Sequence, residues 1–498
     1  MKIINLLMCT TMCLSLPAFA TDFSAIEKIV NETKAAAKLP SGTSIAVVKD
    51  NKVIYRGNFG YADITTKQPA TSDTSYYIAS ITKPYFALSM LLKEHQGQIS
   101  ESTNMATLFP NMSFTTFDAS KVTIKHLLGH TMGIDNNPLA TATAHTGLHD
   151  EQTRNKLVSV SYPNKKAPLN TFKYSNVGYN ILSVWSDNVH QKSWQQILEQ
   201  AVLAPLKTTR SSTTFSAIKD KGWQLPNYYS ILNGADAPVY LQKNDSTMHA
   251  AGGMISSTND IAKFIKIQLN NGKLDGQQIF PAKVIAKSQQ AIATSGISYE
   301  NFKREQYAWG WHIGPYLGET LYHHFGGYAG MHSHLSFMPE KGIGIVILNN
   351  DDLLASRLTN VVAHSIYAAL LEDEAELAKA NSKAIKLKKD AAQLPIMIEQ
   401  HEEELAARQW QLSLPKQSYV GTYHHPHFGN IVITQTKDKQ FYLEFGQLRS
   451  IATAHKSLDG MRVKFLPHRA QVVRIIVESD KIQSLKYDGE VFKRVGSR

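Results

Sequence analysis

Strand-forming sequence lies at the two ends of residues 21–372 and is scarce in between. At the near end, SGTSIAVVKDNKVIYRGNFGYADI (41–64) alternates apolar and polar residues on either side of a Lys49 to Lys52 turn, which predicts a β-hairpin. At the far end the same character returns in YAWGWHIGP, TLYHHFGGY and MHSHLSFMPEKGIGIVILNN, with Pro339 to Gly342 as a turn between two apolar strands. From Ser80 to about Glu300 the pattern is helical with long polar loops, clearest in VTIKHLLGHTMGI, YSNVGYNILSVWSDNV, WQQILEQAVLAPL and STNDIAKFIKIQLNNG. Strands with hairpin-length connections pair antiparallel. The chain is therefore expected to fold as an α/β domain, an antiparallel sheet flanked by helices such as SAIEKIVNETKAAAK and ASRLTNVVAHSIYAALLE, with an inserted all-α subdomain.

Residues 373–412 are charged and helix-prone and read as a helical linker. From 413 to 498 short alternating strands are broken by polar turns, which predicts a small antiparallel β-barrel or sandwich. The first 20 residues carry a basic residue, a short apolar run and Ala18 and Ala20 around Phe19, the pattern of a cleavable signal peptide ending at Ala20. The mature protein is accordingly expected to be periplasmic or secreted. Cys9 and Cys13 are the only cysteines, and both fall in that segment. Disulfides and thiolate chemistry are thus set aside for the mature chain. No later apolar run approaches the roughly 20 residues that span a bilayer. The formal net charge of +11 is spread along the chain without an aromatic-interleaved patch, which fits a solvated basic surface and not a nucleic-acid partner.

Ser80 and Lys83 form an SxxK pair, but Ser216 with Lys219 and Ser413 with Lys416 match the same spacing. Only Ser80 sits where an apolar aromatic segment gives way to a long helical pattern, and Pro84 marks the helix as starting nearby. A serine there can aim its backbone N–H at a developing oxyanion, with Lys83 on the same face one turn on. A lysine in a dry cleft loses proton affinity and can serve as a base. A plain helix N-cap is the alternative for Ser80 taken alone. Tyr174 and Asn176, two residues apart ahead of a helical run, can enter one cleft from one loop. His324, Phe325, Gly326 and Gly327 end a predicted strand whose glycines admit close approach.

The order SxxK, YxN, HxG resembles the serine β-lactamase and penicillin-binding-protein superfamily. Within it the chain is most similar to the branch holding class C β-lactamases, DD-carboxypeptidases, D-aminopeptidases and β-lactamase-like esterases. HLLGHTMGI, AAGGMISSTNDIAKF, YAWGW and MPEKGIGIVILNN extend the likeness over about residues 22–372. The resemblance implies that Ser80 is the acylated nucleophile, Lys83 its base or proton relay, and Tyr174 the partner that passes the proton on. Asn176 would bind the substrate amide, and His324, Phe325 and Gly326 would border the substrate. The N–H groups of Ser80 and Gly327 would form the oxyanion hole. Chemistry alone leaves open whether Lys83 or Tyr174 is the base. The third motif departs from many β-lactam-recognising members, since Phe325 has no hydroxyl and Gly327 replaces a common serine. An ester, an amide or a D-amino-acid-containing peptide is therefore expected as substrate before a penicillin or a peptidoglycan peptide. A silent peptide- or lipid-binding protein is the reading from another class.

No metal or other cofactor is expected. His332 with His334, and His424, His425 and His427, lack a completing carboxylate or thiolate and read as surface or turn histidines. HEEEL (401–405) ends in leucine where a zinc motif needs histidine. His130 reads as a buried, hydrogen-bonded support under the cleft. The C-terminal module resembles lipocalin-like barrels appended to β-lactamase-like peptidases and esterases, with YVGTY as the most familiar piece. The resemblance implies a cap over the active site or a homo-oligomer contact.

Overall fold

A computed structural model describes residues 22–189, 192–234, 237–467 and 469–496. The expected signal peptide, residues 1–20, lies outside the described residues.

Helix α1 (Ser24–Ala36) buries Ile26, Ile29, Val30 and Thr33 on one face. The hairpin β1 (Thr43–Lys49) and β2 (Lys52–Phe59) follows, closed where Lys49 pairs with Lys52. Helix α2 (Thr82–His95) is buried along every residue from Thr82 to Leu92, so it is a core helix held from all sides. Helices α3 (Val177–Val189) and α4 (Thr258–Leu269) come next. Strands β3 (Ala293–Tyr299), β4 (Phe302–Tyr307), β5 (His312–Tyr316), β6 (Glu319–Tyr328), β7 (Met331–Met338) and β8 (Ile343–Asn349) then run in sequence. Helix α5 (Leu353–Leu370) closes the domain.

The eight strands form one antiparallel sheet in the order β3-β4-β5-β6-β7-β8-β1-β2. Chain ends meet in its middle, where Thr43 of β1 pairs with Asn349 of β8. One face packs on α1 and α5 through Ile45, Val47, Ile345, Ile347, Val362 and Ile366. The opposite face carries Ala46, Val48, Leu335 and Val346 against a core that contains α2 and α4. Fully burying one such aliphatic side chain contributes about 1.5–3 kcal/mol, so the two faces dominate the stability of the domain.

The hairpin β3–β4 lies in sequence expected to be helix and polar loop. AIATSGISYENFKREQY gives no apolar alternation because β3 is an edge strand whose residues are mostly exposed. The segment read as a linker is a single 33-residue helix, α6 (Glu374–Ala406), which buries Ala380, Leu387, Ala391, Leu394 and Leu405. It lies along α1 and α5.

The C-terminal domain has nine strands: β9 (Gly421–His425), β10 (Gly429–Gln435), β11 (Phe441–Phe445), β12 (Leu448–Ile451), β13 (Thr453–Ala454), β14 (Gly460–Leu466), β15 (Arg469–Glu478), β16 (Lys481–Tyr487) and β17 (Glu490–Arg494). Their order, β12-β11-β10-β9-β17-β16-β15-β14-β13, wraps into a nearly closed barrel around Tyr423, Ile431, Leu443, Phe465, Ile475 and Phe492. Its β11–β12 turn docks on the first domain. Gln447 donates its backbone N–H to the Thr146 carbonyl at 3.1 Å and its Nε2 to the His145 carbonyl at 2.7 Å. Asn244 Nδ2 donates to Gln447 Oε1 at 2.7 Å.

Candidate active site

Ser80 sits in a short 3-10 turn, Ala79–Ile81, that feeds directly into α2. Ala79 takes a positive φ of 46°, which turns the chain sharply ahead of Ser80. Pro84 occupies the first turn of α2, where its missing N–H costs nothing. Lys83 thus projects one turn beyond Ser80. Its Nζ lies 3.1 Å from Ser80 Oγ and donates to Asn176 Oδ1 at 2.8 Å and the Ala251 carbonyl at 2.7 Å. It also lies 4.9 Å from the centre of the Tyr174 ring. Three chain segments, around residues 80–83, 174–176 and 251, therefore converge on the Lys83 amine.

No carboxylate among the described residues balances Lys83, and burial drives its proton affinity well below the ordinary lysine range. Burial pushes Tyr174 the other way, to about 12, with a hydrogen bond to the Ser80 side chain opposing. One edge of the Tyr174 ring is open to solvent at 36% exposure. Its inner face rests on His130, with ring centres 4.6 Å apart. His130 is buried as expected. Its Nε2 meets the Tyr307 hydroxyl at 3.1 Å, and its Nδ1 accepts the Ser175 N–H at 3.3 Å.

His324 is buried with its ring 5.8 Å from that of Tyr174. Its Nδ1 lies 2.8 Å from the Phe325 carbonyl, which can only accept, so Nδ1 carries the proton and Nε2 offers a lone pair. Burial first, and Lys83 second, hold its affinity for a further proton well below the usual range. The motif's opening position is then a neutral imidazole. Arg304, stacked 4.7 Å from Tyr299 and 5.5 Å from Phe325, is the permanent cation behind it.

The two middle positions of the third motif do not do what the sequence led us to expect. Strand β6 alternates its faces, so His324 turns toward Ser80 while Phe325 turns to the α1–α5 core and packs on Tyr299 and Phe302. The Phe325 ring borders no substrate. Gly326 is also closed off, because a Cβ there would meet the Ile78 carbonyl oxygen at 2.1 Å. Its role is to let β6 lie against the nucleophile turn, where Ser333 Oγ also donates to the Ile78 carbonyl at 2.8 Å. Gly327 is exposed and, with Ser80 and Asn176, lines a cavity of about 480 Å³.

Residues matching a family sequence model described as Beta-lactamase run from 27 to 363. The chain belongs to the beta-lactamase family. Protein flp of Staphylococcus aureus (strain N315) is 26% identical over 352 residues, which span 69% of this chain and 68% of that protein. Penicillin-binding protein 4* of Bacillus subtilis (strain 168) is 22% identical over 306 residues, 58% of this chain and 63% of that protein. An octameric penicillin-binding protein homologue from Pyrococcus abyssi superposes with a TM-score of 0.59 at 22% identity, covering 95% of this chain and 100% of that one. That last likeness extends past the family domain into the barrel and speaks for the fold.

Sequence reasoning passed over several groups that this beta-lactamase-family site contains. Lys243 and His249 line the cavity from a loop without recognisable motif, and Leu466 and Arg469 reach it from the barrel. His332 and His334, read as surface or turn histidines, are buried in the central strand β7 at 5% and 0% exposure. Strand alternation places both beside Phe325; His334 lies in the α1–α5 core, while His332, at the start of the strand, also borders the cavity. Among the described residues no cluster of histidine, cysteine or acidic side chains is arranged to hold a metal ion, and no helix is long and apolar enough to cross a membrane.

Proposed function

We propose that this member of the beta-lactamase family is an exported serine hydrolase that cleaves an ester, an amide or a D-amino-acid-containing peptide through an acyl-enzyme on Ser80. The observation that carries the reading is the approach of Lys83 Nζ to Ser80 Oγ at 3.1 Å inside a site that denies Lys83 a counter-ion. The neutral amine takes the proton from Oγ as Oγ bonds to the substrate's carbonyl carbon. Tyr174, pushed up to about 12, stays a phenol near neutral pH and is suited to donate to the leaving group, which favours Lys83 as the base. The backbone N–H groups of Ser80 and Gly327 bind the oxyanion. Water then attacks the ester on Ser80, releasing the acid and restoring the hydroxyl.

The intact mass of the protein and of Ser80→Ala, after exposure to a fluorophosphonate and separately to a penicillin, tests this. An adduct on the wild type alone supports it, and a folded wild type that gains none under either condition overturns it. A persistent penicillin adduct would point to a DD-carboxypeptidase, and a rapidly lost one to a β-lactamase.

A further inference from the structure

The cavity over Ser80 has a wall that the catalytic domain does not supply. Strands β14 and β15 are paired as far as Leu466 opposite Arg469, and both residues border the cavity that Ser80, Asn176 and Gly327 line from below. Contacts on each side of this hairpin hold it in place. The Tyr240 hydroxyl donates to the Phe465 carbonyl and accepts the Arg449 N–H at 3.1 Å. Lys243, three residues beyond Tyr240, enters the same cavity.

Lys243 is 6% exposed and has no carboxylate partner. Its Nζ donates to the carbonyls of Ala144 and Thr247, the latter at 3.2 Å, and lies 4.1 Å from the Tyr328 ring centre. Of its three donors, one remains unspent. Burial lowers its amine to about 7, so an arriving anion would draw it to the ammonium form. Arg469 is exposed and makes no ion pair among the described residues. Asp352, the acid that borders the cavity, is already engaged by Ser230 Oγ at 2.8 Å, Gly330 N–H at 3.0 Å and its neighbour Leu353 N–H at 2.6 Å. His249 and His332 are held neutral by burial. The surrounding walls are apolar: Tyr77, Leu232, Leu353 and Leu466.

The third-motif strand offers no free side-chain donor here: the His324 proton is spent on the Phe325 carbonyl, Phe325 faces the opposite core, Gly326 and Gly327 have no side chain, and the Tyr328 hydroxyl donates to the Ala144 carbonyl at 3.2 Å. We propose that Lys243 and Arg469 form the subsite for a carboxylate of the substrate, so that the barrel completes the active site. The substrate class is an ester, thioester or amide of a small apolar acid or peptide that bears a free carboxylate. The proposal rests on Ser80 being the acylated residue.

Two thioester pairs test it on the full chain, each pair a free carboxylate and its methyl ester, with the carboxylate on the acyl side in one pair and on the thiol side in the other. The wild type is expected to favour the carboxylate member of at least one pair by roughly tenfold or more in kcat/KM. Arg469→Gln should erase that preference by lowering the carboxylate member more than its ester, Arg469→Lys should keep part of it, and Lys243→Met should act in the same direction. A wild type without preference in either pair, or Arg469→Gln lowering both members of a pair equally or neither, overturns the proposal. Fluorophosphonate labelling of Ser80 runs alongside, since the reagent carries no carboxylate. Loss of labelling in the wild type would refute the acyl-enzyme and not the subsite.

Discussion

Gly326→Ala is the most direct probe of how the sheet positions the nucleophile. The new Cβ would lie 2.1 Å from the Ile78 carbonyl oxygen and 2.3 Å from Ser333 Oγ. Non-bonded heavy atoms rest at about 3.5 Å, so β6 and the segment leading into Ser80 must separate by about 1 Å or more. Ile78 cannot yield freely, because its N–H is bonded to the Met254 carbonyl at 3.0 Å and its side chain is fully buried. Overpacking of this kind costs about 1–3 kcal/mol. At Gly327, one residue on, a Cβ meets nothing within 4 Å, so Gly327→Ala should change stability by no more than about 0.5–1 kcal/mol. Scanning calorimetry of the full chain should therefore place the main transition of Gly326→Ala lower than that of Gly327→Ala, by about 1–4 °C for a domain of this size. A displacement of about 1 Å at the reacting atoms costs on the order of a hundredfold in rate. Fluorophosphonate labelling of Ser80 in Gly326→Ala, measured well below its transition, should slow by that factor. Equal transitions for the two variants, together with wild-type labelling in Gly326→Ala, would refute the claim that β6 abuts the nucleophile turn.

Tyr174→Phe keeps the ring in contact with His130 but removes the phenol, the proton donor of the proposed mechanism, and steady-state kinetics should show kcat/KM falling by about 10²–10⁴-fold. The neutral Lys83 amine required by the mechanism disappears as pH falls through its depressed pKa, so the rate of Ser80 labelling should rise with pH on the acidic limb and Lys83→Met should abolish that rise. Asp351→Asn should cost about 3–5 kcal/mol in denaturant unfolding, since it leaves the buried Lys34 ammonium, now 3.4 Å from Asp351 Oδ2, without its counter-charge. Lys243 titrates at about 7 in the fold against 10.5 ordinarily, so between these values the unfolded chain binds more protons and stability rises with pH. The slope from this group is at most about 1.4 kcal/mol per pH unit, and urea midpoints measured across that window should show it missing in Lys243→Met.

Local sequence was enough to single out Ser80, Lys83, Tyr174, Asn176 and His324 as candidates that the fold brings together, because each sits in a short segment whose pattern sets its immediate geometry. ASITKP specifies a turn into a helix, YSN a loop ahead of one, and HFGG a strand with small residues. The two sheet faces, the helical block and the separate barrel were legible for the same reason, since apolar periodicity is a local property. Strands β3 and β4 escaped because an exposed edge leaves no periodic trace.

What only the tertiary structure decided is which side of each element the cleft lies on and what else borders it. Register turns His324 toward Tyr174 and Lys83 and sends Phe325 and His334 into the opposite core, an outcome that depends on pairing with β7 and on the helices that cover each face. The approach of Ile78 converts Gly326 from a substrate contact into a packing necessity. Lys243 and Arg469 lie 226 residues apart and share a cavity only because the β11–β12 turn docks on residues 145, 146 and 244. Burial and charge balance belong to the assembled fold, and it is these that lower Lys83 while raising Tyr174. The sequence named the candidate groups, and long-range packing set their protonation, their facing and their company.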